Sequence, residues 1–241
     1  MDGHCGQGPQ GLTDVREEVR VGNTEKAQRM AVARQRSNIY GLLASVYRQE
    51  VTADLLHQVK DPQFLGVLSD LGIQLTSDFL QKPEEELLEE LEVEFAGLFL
   101  GPGGHISPHE SVHHQRSDGQ SGLLWGESTA EVKKFIESTG LSYNSEYSGL
   151  PDHISVELEF MQQLTLREEL AWGEEDEDGA LNCLKIEKKF IQEHLIRWIP
   201  IFCEKVIELA ELPFYREVAA LTKNFIEFER KEVEGYAGDL K

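Results

Sequence analysis

The chain has 241 residues, and 23 Lys and Arg residues against 44 Asp and Glu residues give it a formal net charge of −21. This length allows one large hydrophobic core or two small ones. An acidic surface of this strength repels nucleic acid and anionic membranes, so we expect neither nucleic-acid binding nor membrane insertion, and a basic or apolar partner is favoured.

The N-terminal region predicts a tail followed by helices. Residues 1–24 are rich in glycine and poor in bulky apolar side chains, so they predict a mobile tail. A helix is predicted from about Thr24, its N-cap, because apolar residues then recur at steps of three and four, namely Ile39, Leu42, Leu43 and Val46. Shorter helices are predicted through Asp54–Val59 and Phe64–Leu71.

A strong helix is predicted after Pro83. Three glutamates, Glu84–Glu86, occupy its first turn, where carboxylates complement the helix dipole. Its apolar stripe consists of Leu87, Leu88, Leu91, Phe95, Leu98 and Phe99. The helix is expected to end at Gly101, where a central loop begins that runs to Gly122 and is rich in Gly, Pro, Ser and His. Loops of this length inside a domain are functional or disordered.

Helical patterning resumes in the second half of the chain. One helix is predicted over Glu127–Thr139, and the next begins with Pro151 as its first residue. The apolar face of that helix consists of Ile154, Leu158, Met161 and Leu164. The acidic run from Gly173 to Gly179 is interpreted as a solvated loop. A further helix is predicted through Leu184–Trp198.

The last helices complete the predicted fold class. The helix that contains Trp198 is expected to be interrupted near Pro200, and another follows Pro213. Because no segment alternates with a period of two, the sequence predicts an all-α protein, a single helical bundle with a long central Gly/Pro/His loop. The predicted all-helical domain covers 25–235, with halves 25–122 and 123–235, between the tail 1–24 and a C-terminal tail 236–241.

Cysteine use and the N-terminal sequence indicate the compartment. The three cysteines show no Cys-x-x-Cys spacing, which argues against a structural zinc site, an iron–sulfur cluster and a disulfide framework. The N-terminus has no cationic start followed by an apolar run, and no segment approaches the length of a transmembrane helix. We therefore expect a cytoplasmic protein.

Histidines crowd the central loop, at His105, His109, His113 and His114. Glu110 and His113 have the Glu-x-x-His spacing of helical di-iron proteins, but the motif lies in a loop and has no twin. His153 and Glu157, four residues apart, would add ligands only if the fold brings them close. Two interpretations stay open: ordinary loop histidines, or a helical metal-binding protein that uses the loop from His105 to His114.

Asp152 and His153 stand near the start of the predicted helix. Free main-chain amides there stabilise a carboxylate and disfavour an imidazolium, so a neutral His153 is expected. Either Asp152 caps the helix and His153 bonds to Glu157 or to the backbone, or the pair binds a partner. The chain has no Gly-x-Ser-x-Gly elbow and no phosphate-binding glycine loop, so no catalytic residue, nucleotide or other cofactor is assigned.

Four segments carry motifs in a fixed order. They are Glu94–Gly103 with Pro108–Val112, then Leu124–Thr129, then Pro151–Met161, and finally Phe190–Pro200 followed by Pro213–Tyr215. The most specific is Leu98-Phe99-Leu-Gly101-Pro102-Gly103. Together the segments resemble the TorD/DmsD/NarJ family of redox-enzyme maturation chaperones. Within that family, the histidine-rich version of the loop weakly favours the chaperones of nitrate-, selenate-, chlorate- or ethylbenzene-oxidising enzymes.

The resemblance implies an all-helical chaperone with no reaction of its own. Its client would be the precursor of a molybdenum-containing oxidoreductase, bound through a twin-arginine signal peptide or another part of the apoenzyme, with export delayed until the molybdenum cofactor is inserted. The resemblance implies client binding by Gly101, Pro102, Pro108, Glu110, Ser111, Asp152 and His153. His109 and His113 stand where some members carry aromatic side chains.

A signal peptide presents paired arginines and then an apolar segment, so its receptor needs an apolar groove flanked by acidic groups. We hypothesise that Glu110 and Asp152, together with Glu157, contact the arginines. A permanent structural subunit of an oxidoreductase is a further alternative. The sequence leaves open the identity of the client and whether the protein is a monomer or a dimer.

Overall fold

The computed structural model describes residues 11–70, 72–101, 105–113, 124–142 and 149–236. Within these ranges the regular structure is helical, and the predicted all-α class is confirmed. The α-helices are α1 Gly11–Arg48, α2 Ala53–Lys60, α3 Pro62–Asp70, α4 Ser77–Gln81, α5 Glu84–Phe95, α6 Glu110–His113, α7 Glu127–Ser138, α8 Ile154–Glu174, α9 Glu177–Phe190, α10 Ile196–Leu209 and α11 Pro213–Tyr236. Two π-helical turns, Ala96–Leu100 after α5 and Ile191–Leu195 between α9 and α10, continue these helices.

Polar side chains cap several helix starts. The hydroxyl of Thr52 accepts a hydrogen bond from the main-chain N–H of Leu55 at the start of α2, and Asp176 accepts from Gly179 N at the start of α9. These bonds satisfy amides that have no partner inside the helix. None of the described helices combines the length and the apolar character that crossing a membrane requires.

One hydrophobic core runs through the bundle. Helix α1 packs along α8, α8 packs against α9, and α10 packs against α11. The largest fully buried side chains are Trp198, Tyr40, Tyr215, Phe190, Phe202 and Phe214. Burying an apolar side chain of this kind stabilises the fold by about 1.5–3 kcal/mol. Because these residues come from both halves of the chain and belong to one cluster, the described helices form a single bundle.

A buried charge cluster ties four helices together. Arg36 of α1 donates to Glu168 of α8 over 2.8 Å, to Glu187 of α9 over 2.5 Å and to Glu229 of α11 over 2.8 Å. The hydroxyl of Tyr40 also donates to Glu229. Burial raises the pKa of Glu187 to about 7, although Arg36 acts in the opposite direction. We call these five residues the Arg36 cluster.

Two predicted helix starts are wrong. Helix α1 begins at Gly11, so Thr24 lies inside the helix rather than at its N-cap, and residues 11–24 of the predicted tail are helical. Helix α8 begins at Ile154 with His153 as its N-cap, so Pro151 lies before the helix. Residues 1–10 and 237–241 lie outside the described ranges, as does the predicted boundary between the two halves of the domain.

The structure shortens one predicted interruption and lacks another. The acidic run from Gly173 to Gly179 is mostly helical, because α8 ends at Glu174 and α9 begins at Glu177, with Glu175 in the left-handed conformation at φ 64°. Pro200 lies inside α10 without ending it. The proline is in the early part of that helix, just after the π-turn, where the loss of one main-chain donor is more easily accommodated than in a helix centre.

Candidate functional site

The described part of the central loop, residues 105–113, is held against the segment that precedes α8. The main-chain N–H of Glu110 donates to the carbonyl of Asp152 over 2.9 Å, and Ile154 N donates to the carbonyl of Pro108 over 2.9 Å. These bonds form an isolated antiparallel bridge between His109 and His153. The structure therefore brings together two of the segments that the motifs singled out.

Asp152 anchors the start of α6 rather than that of α8. Its side chain is buried, and Oδ2 accepts a hydrogen bond of 3.0 Å from the main-chain N–H of Ser111. The cap of α8 is His153 instead, because its Nδ1 accepts from Ser155 N over 3.2 Å. The interpretation in which Asp152 caps α8 is wrong, since its carboxylate is directed to the loop.

His153 is held in its neutral form. Burial lowers the pKa of His153 to about 4, and the nearby ring of His109 lowers it further, while Asp152 acts in the opposite direction. Nδ1 of His153 lies 2.8 Å from the hydroxyl of Ser155. Burial therefore favours the neutral imidazole that the sequence predicts.

A buried network links the loop to the helices behind it. Glu110 Oε2 lies 3.0 Å from Nδ1 of His194, and Trp198 Nε1 donates to Glu157 Oε2 over 3.0 Å. Burial and the neighbouring carboxylate of Glu110 raise the pKa of Glu157 well above its ordinary value. These surroundings favour the protonated form of Glu157. We call Glu110, Asp152, Glu157, His194 and Trp198 the Glu110 cluster.

The three acidic side chains predicted to meet a client's arginines point inward. Glu110, Asp152 and Glu157 are each 0% exposed. Their buried carboxyl groups bond to a histidine, a main-chain amide and an indole of the protein itself. Direct contact with a client's arginines therefore stays a prediction, and in this arrangement the bonds of the three side chains link the described loop segment to the helices behind it.

The remaining predicted site residues fall into two groups. Pro108 and Ser111 are buried within the loop, and Gly101 ends the π-turn after α5, where an added Cβ would come within 3.3 Å of the carbonyl of Ala96. Pro102 and His114 lie outside the described residues.

The described loop histidines do not converge on a common point. His113 Nε2 lies 2.7 Å from the carbonyl of Ser107, and its ring stacks on Trp198 with 5.5 Å between centroids. His109 Nδ1 lies 3.1 Å from the Ser107 hydroxyl, and His105 is exposed. Burial lowers the pKa values of His109 and His113. In the described ranges, no three His, Cys, Asp or Glu residues form a group suited to a metal ion, so this geometry does not support the metal-binding alternative.

A cavity of about 560 Å³ opens beside the loop, between it and the end of α10. Its lining includes Ile106, Val112, Leu124, Lys205 and Leu209. We call it the loop cavity. Its apolar wall and its position next to the Glu110 cluster make it suited to an extended or helical apolar segment.

An exposed aromatic residue adjoins the loop cavity. Leu124 is 51% exposed, and its neighbour Trp125 is 77% exposed with φ 65°. A large side chain in the left-handed region is strained, and strain of this kind is concentrated at functional sites. The motif Leu124–Thr129 pointed to this position, whereas Lys205 and Leu209 belong to none of the motifs.

Residues 69–204 match the family model described as nitrate reductase delta subunit. The chain belongs to this family. The delta subunit match spans the central loop, Asp152 and the π-turn with His194, so the Glu110 cluster is built entirely from family-matched residues.

Among similar proteins, the chaperone protein TorD of Shewanella pealeana is 26% identical over 225 residues, which cover 88% of this chain and 96% of that protein. Chaperone protein TorD of Vibrio atlanticus is 26% identical over 212 residues, covering 83% and 95%. A solved chain from Archaeoglobus fulgidus, described as a candidate redox enzyme maturation protein, is 21% identical and covers 83% of this chain and 93% of its own, with a TM-score of 0.42. The resemblance to the TorD/DmsD/NarJ family is confirmed by the family match and the TorD relatives.

Proposed function

We propose that this chain is a cytoplasmic chaperone for the precursor of a molybdenum-containing oxidoreductase. It binds the twin-arginine signal peptide, the enzyme body or both, while the cofactor is inserted and export is delayed. One observation carries the proposal: the family motifs meet at one place, where the Glu110 cluster holds the loop beside an open, partly apolar cavity. The TorD names of the relatives support the same role.

The proposed client site consists of an inner and an outer layer. In the inner layer Glu110, Asp152 and Glu157 fix the loop segment 105–113, so that this segment does not have to be ordered when the client arrives. Preorganisation of this kind lowers the entropic cost of binding. In the outer layer the loop cavity, with Leu124 and Trp125 at its edge, receives apolar client side chains, and each Å² buried contributes about 25 cal/mol of gross free energy.

Gly101, Pro102, Pro108, Ser111 and His153 complete the proposed site. The bridge between His109 and His153 presents the loop, and the carbonyl of Pro108 accepts one of its hydrogen bonds. The main-chain N–H of Ser111 donates to Asp152. This role requires neither a catalytic residue nor a resident cofactor, and we assign neither to the protein.

A second candidate role is that of a lasting subunit of an oxidoreductase, which the family description, a delta subunit, favours. The two roles differ in when the complex ends. A chaperone leaves once the client is mature, whereas a subunit stays.

Co-purification from the native host distinguishes these roles. The tagged chain is recovered gently, and its partners are identified by mass spectrometry. We expect the catalytic subunit of a molybdenum enzyme that still carries its leader. Recovery of the chain with the mature, leaderless enzyme would favour the subunit role, and recovery without any oxidoreductase would overturn the proposal.

A further inference from the structure

A second groove, of about 790 Å³, lies between α5 with its π-turn and the segment that joins α10 to α11. Five of its lining residues are glutamates, namely Glu86, Glu89, Glu90, Glu94 and Glu211. Among the described residues that line it, none is basic. We call it the acidic groove.

The spacing of α5 builds this groove. Glu86, Glu90, Val93 and Gly97 follow one another at steps of three and four residues, so they share one face of the helix and its π-turn. Glu86, Glu89 and Glu90 line the groove toward the start of α5. Toward the π-turn the groove exposes apolar groups, since Val93 is 67% and Leu209 is 54% exposed, and Glu94 and Glu211 lie beside them. The helix dipole does not account for Glu89 and Glu90, because its effect is confined to the first turn.

The protein itself neutralises these charges only in part. Lys82 Nζ lies 2.5 Å from Glu90 and 3.9 Å from Glu86, so one cation serves two carboxylates. Glu94 accepts from the main-chain N–H of Leu212 over 2.8 Å and fixes the wall of the groove. Within the described ranges, the side chains of Glu89 and Glu211 form no ion pair. The acidic groove thus carries excess negative charge beside an uncovered apolar surface.

We propose that the acidic groove receives the arginine-bearing end of the client's signal peptide in helical form. The apolar part of the peptide then continues over Leu209, which lines both the acidic groove and the loop cavity. Charge complementarity selects this occupant, and a second copy of the chain is disfavoured because each copy carries a net charge of −21. The inference rests on the proposed function and specifies where the basic part of the peptide binds.

The first test removes charge without changing shape. The probe is a synthetic peptide with two adjacent arginines followed by a leucine- and alanine-rich segment, and its affinity for the full chain is measured by calorimetry. The variant E86Q/E89Q should bind it about 2- to 30-fold more weakly, as expected for the loss of two exposed ion pairs. The matched control E131Q/E232Q changes two exposed glutamates elsewhere and should bind like the parent.

A second peptide with glutamines in place of the arginines completes a double-mutant cycle. The parent should bind this glutamine peptide more weakly than it binds the arginine peptide. The variant E86Q/E89Q should bind both peptides with nearly the same affinity. Equal weakening by E86Q/E89Q and E131Q/E232Q would show a general effect of net charge and would overturn the assignment to this groove.

The next test fills the groove. A Cβ added at Gly97 meets no atom within 4 Å, and the same holds for the exposed Gly66 on α3. Gly97→Phe should therefore fold normally and lose measurable binding of the arginine peptide, whereas Gly66→Phe should keep it. The proposal is refuted if Gly97→Phe folds and binds the arginine peptide with the affinity of the parent. The same holds if the variant changes its oligomeric state but not its affinity for the peptide.

The two proposals fail in different ways. If Gly97→Phe binds the arginine peptide as tightly as the parent and still recovers a leader-bearing precursor from the native host, the chaperone role stands and the acidic groove does not bind the peptide. If the parent recovers no precursor at all, the chaperone role itself fails.

Discussion

The protein buries two groups of carboxylates and stabilises them differently. In the Arg36 cluster, one guanidinium donates to three glutamates that come from three different helices. In the Glu110 cluster, the partners of the carboxyl groups are an imidazole, an indole and a main-chain amide. Both clusters take charged groups out of water, which is costly unless each finds a partner.

The difference lies in what each cluster holds. A guanidinium has five donors in a rigid fork, so Arg36 can connect α1 to α8, α9 and α11 at once. The Glu110 cluster connects one short irregular segment to the helices behind it. We therefore expect loss of the first to destabilise the whole bundle, and loss of the second to release the loop.

The largest effect is expected from Arg36→Met. This change leaves three buried glutamates without their cation, and breaking a buried ion pair in this way costs about 3–5 kcal/mol. Urea unfolding followed by circular dichroism measures the loss. The control Lys26→Met, on the same helix, removes an exposed pair with Glu175 and should cost less than about 1 kcal/mol. Similar losses in both variants would contradict the special position of Arg36.

The titration of Glu187 is expected to change the free energy of unfolding by up to about 3 kcal/mol. Its pKa is raised to about 7, so the folded protein binds this proton more tightly than the unfolded chain does. The associated stability is fully present below the ordinary glutamate pKa and is lost as pH rises through about 7. Glu187→Gln should match the parent at pH 5 and exceed it in stability at pH 8.

The measurement for Glu187 is the urea midpoint at pH 5, 6, 7 and 8. A parent and a variant that lose stability in parallel over this range would show that Glu187 is not the group that titrates. Burial also raises the pKa of Glu168, so its titration acts in the same direction. The stability of Glu187→Gln should therefore still fall as pH rises, but less steeply than that of the parent.

Asp152→Ala should have an intermediate and local effect. It leaves the main-chain N–H of Ser111 buried without its acceptor, at a cost of about 1–3 kcal/mol. Hydrogen exchange of residues 105–113 should accelerate, helical content should stay nearly unchanged, and client binding should weaken. Asp176→Ala is the matched control, because it removes the same kind of bond at the start of α9. If Asp152→Ala abolishes helical content as well, the Glu110 cluster holds the bundle and the proposed contrast is wrong.

The smallest effect is expected at the cap of α8. His153→Ala removes the acceptor for Ser155 N, and loss of an N-cap costs about 1 kcal/mol. His153→Asn keeps a capping acceptor and should recover most of that stability. If both variants are equally destabilised in thermal unfolding, the burial of the imidazole ring matters more than its cap.

The sequence predicted the helical class and the segments of the site, but not the burial of their side chains. Leu98, Phe99 and Asp152 were identified through motifs that follow one another along the chain in the same order as the helices of the fold. Spacing along a chain does not say whether a carboxylate faces water, so Glu110 and Glu157 were predicted to contact a client's arginines although both side chains are buried.

The Arg36 cluster had no counterpart in the sequence patterns. Arg36 and Glu168 are separated by 132 positions, and each looks like an ordinary surface charge on its own helix. The start of α1 was missed because glycine content outweighed helix propensity in the prediction, and the start of α8 because Pro151 was placed at the first helical position instead of before the cap.

The exposed position of Trp125 gives the protein an internal optical reporter. Of its three tryptophans, Trp172 and Trp198 are buried, whereas Trp125 stands in solvent at the edge of the loop cavity. A client that covers this edge will shift the emission of Trp125 to shorter wavelength and protect it from quenchers, while the other two emit as before. Occupancy of the site can therefore be followed in solution without attaching any dye.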